Sequence, residues 1–358
     1  MHVSISTSNV LLDAAMTIIS QEEHTHFKEV LEEFRELTNE EAYVHIFSQR
    51  MMKPIPNRNA EYYGGDQRID MLPFLKTLID KLPENGQVFD VGAGSGDVVD
   101  FALKNAPKNT VINIEEPNSI LIQNYLKTLK RYPHLRTGVA YDGIIQNCYR
   151  GNIVKQYPAQ PQDLILAIHM IYHLTDFTMP QIDPEVDIID AVSFLYGLLV
   201  PGGSLFIVYA DLLDHANSKA ACGLAEVFFR KKYPKDYFAD HLASIYKARN
   251  QLLGPDGTIE MQLKKRFPYT TPKLKSERRK THFFGESVAD IGVLCLATEL
   301  CSSDKEKFKL EKLQFCLDYV SRYPESIGLE KETGDVPQKG CWRANEPQVI
   351  ATLTKFVA

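Results

Sequence analysis

A chain of 358 residues with 44% hydrophobic residues can bury a sizeable core, and one α/β domain with a helical elaboration fits that length as well as two domains do. A formal charge of −6 and a pI near 6.0 leave no electrostatic footprint for nucleic acid or an acidic membrane, so a small-molecule substrate is expected. Six scattered cysteines, Cys148, Cys222, Cys295, Cys301, Cys316 and Cys341, form no CxxC pair and no histidine spacing that suggests zinc; reduced thiols and no metal follow. The first twenty residues show no basic leader before a long apolar core, and no run of about twenty apolar residues occurs, so a cytoplasmic protein without a membrane partner is the default.

Residues 21–80 read as helices. Phe27, Val30, Leu31 and Phe34 recur at helical spacing with charged residues between them, an amphipathic stripe facing a core. The aromatic run YVHIFSQRMM follows at 43–52, and RNAEYYGGDQRIDML resumes a helix after the break at Gly64 and Gly65.

The stretch VFDVGAGSGD at 88–97 organises the rest. Val88, Phe89 and Val91 read as a buried strand, and Gly92, Gly94 and Gly96 follow at once, opening backbone conformations closed to other residues and letting a ligand approach the main chain. DVVDFALK at 97–104 then carries helical spacing, so strand, glycine loop and helix open a nucleotide-binding α/β unit. The spacing is GxGxG, neither the dinucleotide GxGxxG nor a phosphate-binding loop with its lysine. The next strand, TVINIEE at 110–116, ends in acid about twenty residues beyond the last glycine, where a carboxylate can accept hydrogen bonds from ribose hydroxyls. The competing reading is a surface pair of glutamates that only ends a strand.

QNYLKTLK at 123–130 continues a helix, and VAYDGIIQN at 139–147 leads into a turn at Asp142 and Gly143. DLILAIHMIYHLTD at 163–176 begins as a central parallel strand buried on both faces, with His169, Tyr172 and His173 just past its carboxyl end, where ligands of such sheets bind. A helix at 188–199 and the strand of PGGSLFIVYAD complete a parallel series. Residues 211–345 exceed what one strand and one helix need. They read as helices at 215–232 and 236–252, a strand at 258–267, and helices at 286–301 and 304–322. The basic run KLKSERRK at 273–280 reads as a solvated loop, with an anionic-substrate or RNA contact as its weaker rival given the net charge. QVIATLTKF at 348–356 is the last strand.

VFDVGAGSGD, IEEPN and DLILAIHMIYHLTD, in that order and spacing, resemble a class I S-adenosylmethionine-dependent methyltransferase, and within it the histamine N-methyltransferase-like group. The resemblance implies a Rossmann-like, doubly wound, seven-stranded sheet with an N-terminal helical lid (1–80), a cofactor-binding core (81–210), a mostly helical substrate-pocket insertion (211–345) and a final core strand (346–358). It implies S-adenosyl-L-methionine as cofactor, contacted by Asp90, Gly92, Ala93, Gly94, Gly96, Glu116, Pro117, Asn118, Asp142 and Ile168, with Asp142 toward the adenine. His169 would orient the acceptor, with Tyr172 and His173 beside it; either histidine could instead be a helix cap or a core residue. Tyr43, His45, Phe47, Tyr62, Tyr63, Phe283, Phe284, Cys341 and Trp342 become candidate pocket residues, with plain packing as the alternative for each.

Methyl transfer from a sulfonium gains chiefly from holding the nucleophile at near-attack distance, so neither a metal nor a covalent intermediate is required. An amine must arrive uncharged, which a neutral imidazole or a tyrosine hydroxyl would aid. The function expected is therefore methylation of a small-molecule nitrogen, an amine or imidazole, by a monomer or homodimer. The rivals are O-methylation of a carboxylate or hydroxyl, a non-catalytic protein that keeps the cofactor fold, and, more weakly, a dehydrogenase.

Overall fold

Apolar runs bounded by turn residues become strands here, and the amphipathic runs between them become helices. The computed structural model describes residues 21–51, 65–150, 160–171, 182–211, 221, 237–296, 306–333 and 340–358; the candidates Tyr62, Tyr63, Tyr172 and His173 lie outside them. In chain order the elements begin with α1 (Gln21–Glu33), α2 (Asn39–Ile46), a π-turn (Phe47–Met51), α3 (Gln67–Ile79), β1 (Gln87–Val91), α4 (Asp97–Phe101), β2 (Val111–Glu115), α5 (Ser119–Leu129) and β3 (Arg136–Tyr141). They continue with α6 (Gln146–Tyr149), β4 (Gln162–Ile168), α7 (Pro184–Gly197), β5 (Leu199–Ala210), α8 (Tyr237–Leu253), α9 (Ile259–Arg266) and β6 (Thr270–Arg279). The last are β7 (His282–Gly285), α10 (Val288–Leu294), α11 (Leu310–Arg322), β8 (Glu330–Lys331), β9 (Trp342–Asn345) and β10 (Gln348–Val357).

Contacts gather the chain into two units: a sheet unit from 68–213, 240–279 and 348–358, and a second unit from 1–67, 214–239 and 280–347. The sheet unit is built on seven strands in the order β3-β2-β1-β4-β5-β10-β6. β1 to β5 run parallel, and β10 is antiparallel to both neighbours. Strand alternation sends Val88, Ile112, Leu164, Leu166, Phe206 and Val208 to one layer, where they meet Met71 and Leu75 of α3 and Tyr125 of α5. Phe89, Val91, Ile165, Ala167, Ile207 and Tyr209 face the other layer, against Val192 of α7, Leu252 of α8 and Ile259 and Leu263 of α9. This is the doubly wound, seven-stranded, Rossmann-like sheet expected from the sequence.

Two local expectations are corrected. Residues 258–267 form helix α9: Ile259 and Leu263, one turn apart, are buried while Met261 is 59% exposed, so the apolar alternation that suggests a strand is accidental. The basic residues Lys264, Lys265 and Arg266 then fall in the last helical turn, where they complement the negative end of the helix dipole. The run at 273–280 is no loop, because 273–279 belong to β6, in full register with β10 from Gln348↔Arg279 to Val357↔Thr270. Its exposed Lys273, Lys275 and Glu277 are the composition of an outermost strand, which hides the apolar signal a central strand would carry.

The second unit is held by caps and ion pairs. Thr38 and Glu41 make a reciprocal capping box at the start of α2, and Ser287 with Asp290 makes another at α10. Arg50 reaches Glu33 at 2.7 Å and Asp290 at 3.0 Å. β7, β9 and β8 form a small sheet. No described helix is long and apolar enough to cross a membrane.

Candidate active site

The site is built at the carboxyl ends of β1, β2 and β4, which the parallel order places side by side. After Val91 the chain turns through three glycines with positive φ: +64° at Gly92, +57° at Gly94 and +84° at Gly96. The need for glycine is steric at two of them. A Cβ on Gly92 would lie 2.5 Å from the Cβ of Met170, and one on Gly96 would lie 2.9 Å from Cγ of Tyr125. Gly96 caps α4, whose first residue Asp97 pairs with Arg68 at 2.6 Å.

Acid surrounds this loop. The Glu116 carboxylate accepts the amides of Gly94 and Asn118, each at 3.0 Å, and Asn118 in turn caps α5 by accepting from Ile120 and Leu121. Glu115 accepts the amides of Gly92 at 2.8 Å and Ile145 at 2.9 Å. Asp90, buried under the loop, accepts from the hydroxyl of Tyr125 at 2.8 Å. Burial raises the Asp90 carboxyl well above the carboxylate range, the Tyr125 bond opposes this, and the nearby carboxylates of Asp97, Glu116 and Glu115 add to it. Burial likewise pushes Glu115 up to about 8, against its bond to the Gly92 amide and with help from the charge of Glu116.

His169 ends β4 with a φ of +53°, a conformation rare for a residue with a Cβ, and its amide donates to Val208 O at 2.8 Å. The next two residues, Met170 and Ile171, turn into the core. The His169 Nε2 is buried, and the ring's affinity for a proton falls to about pKa 4. Burial is the main cause, and the positive charges of Arg68 and Arg249 add to it, while a hydrogen bond with Gln348 opposes it. The imidazole is therefore neutral at physiological pH. Arg249, on α8, is fully buried between the rings of Tyr209 at 4.8 Å and Tyr246 at 5.1 Å and donates to Ala210 O at the end of β5.

No family model matches the chain, and no curated protein matches it. Among solved structures it is similar to a SAM-dependent methyltransferase of Leishmania major, at 17% identity over 40% of this chain and 50% of that chain, with a TM-score of 0.30. It is also similar to a plantazolicin methyltransferase solved with a triazolic desmethyl-plantazolicin analogue and SAH, at 14% identity over 98% and 99% of the two chains, with a TM-score of 0.34. A third likeness is to the YcgJ protein of Bacillus subtilis, at 11% identity over 80% of this chain and 98% of that chain, with a TM-score of 0.41.

Of the sequence-derived candidates, the structure brings Asp90, Gly92, Ala93, Gly94, Gly96, Glu116, Asn118 and His169 to the strand ends of one sheet unit. Ala93 is buried and donates its amide to Glu115 O at 2.9 Å, while Pro117 and Ile168 are partly buried. Asp142 is exposed on the loop after β3. The remaining pocket candidates belong to the second unit. Tyr43 and Phe47 stack at 6.1 Å, and Phe283 is buried in register with Ala344. His45 meets Phe34 edge-on at 5.0 Å, and Phe284 and Cys341 form a small buried cluster. Trp342 donates its indole N–H to Glu23 at 3.1 Å and lies under Lys331. Sequence reasoning missed Glu115, Arg68, Arg249 and Gln348. Only Glu115 carried a local signal, the doubled acid of IEE; the other three come from helices and a strand far from the motifs in the chain.

Proposed function

We propose that the sheet unit binds S-adenosylmethionine and that the protein transfers a methyl group to a small-molecule acceptor, a nitrogen of an amine or imidazole compound being favoured. The observation that supports this reading most is the acid-lined glycine loop, in which Glu116 already accepts the Gly94 amide. A carboxylate offers about four lone-pair sites, so after the amides of Gly94 and Asn118 it can still accept from ribose hydroxyls. The charge of Glu116 beside the glycines would repel a pyrophosphate but suit a nucleoside with a cationic sulfonium. The cofactor supplies an activated methyl on a thioether leaving group that needs no acid.

His169 would contact the acceptor. A ring held near pKa 4 stores a proton poorly at neutral pH but accepts a hydrogen bond well, so its role is to orient an uncharged nucleophile. The nitrogen preference draws on the histamine N-methyltransferase-like resemblance of IEEPN and the His169 segment. A second reading, O-methylation of a carboxylate or hydroxyl, is favoured by the two arginines near enough to weaken the proton affinity of His169, since the same charges would attract an anion.

Calorimetric titration with S-adenosylmethionine and, separately, NAD tests the reading. Micromolar affinity for the former, about −8 kcal/mol, is expected, followed by turnover in a screen of small amines, then carboxylates and phenols. NAD binding instead would overturn the proposal, and cofactor binding without any turnover would leave a non-catalytic binding protein.

A further inference from the structure

We infer that Glu115, the residue before the proposed ribose-binding Glu116, is a positioning residue that locks the glycine loop, the loop after β3 and the His169 turn into one arrangement. The inference rests on the cofactor reading above. Ile112 and Ile114 pack in the layer with α3 and α5, so strand alternation turns Glu115 to the opposite face. There its side chain joins two loops far apart in sequence, taking the Gly92 amide on Oε2 at 2.8 Å and the Ile145 amide on Oε1 at 2.9 Å. Its own carbonyl accepts from Ala93 at 2.9 Å, so one residue holds three main-chain donors.

The link continues toward the acceptor side. Gly92 stands where a Cβ would sit 2.5 Å from the Cβ of Met170, the residue directly after His169. His169 itself is pinned in its left-handed conformation by Val208 O at 2.8 Å. A shift of Gly92 therefore moves Met170, and through it the His169 turn. Because interiors are close-packed, that movement cannot be absorbed locally.

The groups facing Glu115 are acids and weak acids: Glu116 beside it, Asp90 from β1, Tyr141 of β3 and Cys148 of α6. Burial with the charge of Glu116 raises its carboxyl to about 8. An opened loop would let the carboxyl ionise in water at its ordinary value, whereas the closed one holds its proton up to about 8. Its grip thus loosens as pH rises from about 4.5 to 8.

The experiment compares wild type, E115Q and E116Q by amide hydrogen exchange on the ligand-free protein. It adds calorimetry with 5′-methylthioadenosine, a nucleoside that lacks the titratable amino-acid group of the full cofactor. Expected in E115Q are faster exchange at Gly92 and Ile145 together, by about tenfold, and an affinity for methylthioadenosine lower by about tenfold, or about 1.4 kcal/mol. Wild type should lose affinity as pH rises from 5 to 8, and that loss should disappear in E115Q. E116Q should lose affinity while Ile145 keeps its protection. Unchanged or independent exchange at Gly92 and Ile145 in E115Q, or a retained pH slope, overturns the inference. If E115Q does not fold, the wild-type amides of Gly92 and Ile145 still report: joint acceleration from pH 5 to 8, after correction for intrinsic rates, supports the strut, and independent behaviour sinks it. Coupled exchange in a wild type that binds no nucleoside would overturn the cofactor reading alone.

Discussion

In the sheet unit, the buried carboxylates of Glu115 and Glu116 are held by main-chain amides of Gly92, Ile145, Gly94 and Asn118, whereas the second unit adds ion pairs between side chains. There Arg50 grips Glu33 and Asp290, and the His282 ring meets Asp66 at 2.9 Å. A main-chain donor stays in place when any side chain is changed, so the geometry around the glycine loop is a property of the strand ends themselves. A side-chain pair can be removed one partner at a time. The first arrangement suits a site that must hold one shape; the second is ordinary stabilisation, with exposed pairs contributing less than about 1 kcal/mol each.

Substitutions should separate the two regions, beginning with the largest effect. Gly94→Arg places a long side chain at a φ of +57° in the centre of the acid-lined loop, and should abolish S-adenosylmethionine binding in calorimetry while circular dichroism shows the fold retained. His169→Ala should leave cofactor affinity within about twofold and slow methyl transfer by about a hundredfold, as the loss of a contact that orients the nucleophile would. Equal loss of cofactor affinity in both variants would show that His169 sits on the cofactor side. Glu116→Ala should weaken cofactor binding by about tenfold to a hundredfold through lost charge-assisted hydrogen bonds.

Stability against pH offers a third comparison. His169 keeps its proton off until about pH 4 when folded but takes one near its ordinary 6.5 when unfolded. The unfolded state thus binds more protons in that window, and stability is lost as pH falls through it, by up to about 3 kcal/mol. The urea midpoint at pH 5, measured relative to that at pH 7.5, should rise in His169→Gln compared with wild type; no rise would show the imidazole already titrates normally in the folded chain. Glu115 acts in the opposite sense, since its raised folded pKa makes stability fall as pH rises from about 4.5 to 8. The smallest effect is expected in the second unit: Thr38→Ala removes the hydroxyl of the α2 capping box, lowering stability by about 1 kcal/mol with no change in cofactor affinity. A shift in that affinity would mean the second unit's caps matter to the site after all.

What was legible from residues alone was whatever depended on neighbours in the chain. Val88, Phe89 and Val91 announce a strand, three alternating glycines announce a turn no other residue could make, and the acid of IEE falls at the next strand end. Charged edge strands defeat such reasoning, because β6 has four of its ten residues exposed and spells KLKSERR, and α9 shows the reverse error, an alternation that mimics a strand within a helix.

The sequence by itself determined the α/β class and the place of the glycine loop, since both follow from local conformational preference and hydrophobic period, while the count of seven strands came only with the family resemblance. Only the tertiary structure decided that Glu115 and Glu116 divide their labour between two loops, and that Arg68, Arg249 and Gln348 surround His169. Those groups are joined by burial and charge across sequence separations of up to about two hundred and eighty residues, and an electrostatic field acts through space, whatever the order of the chain.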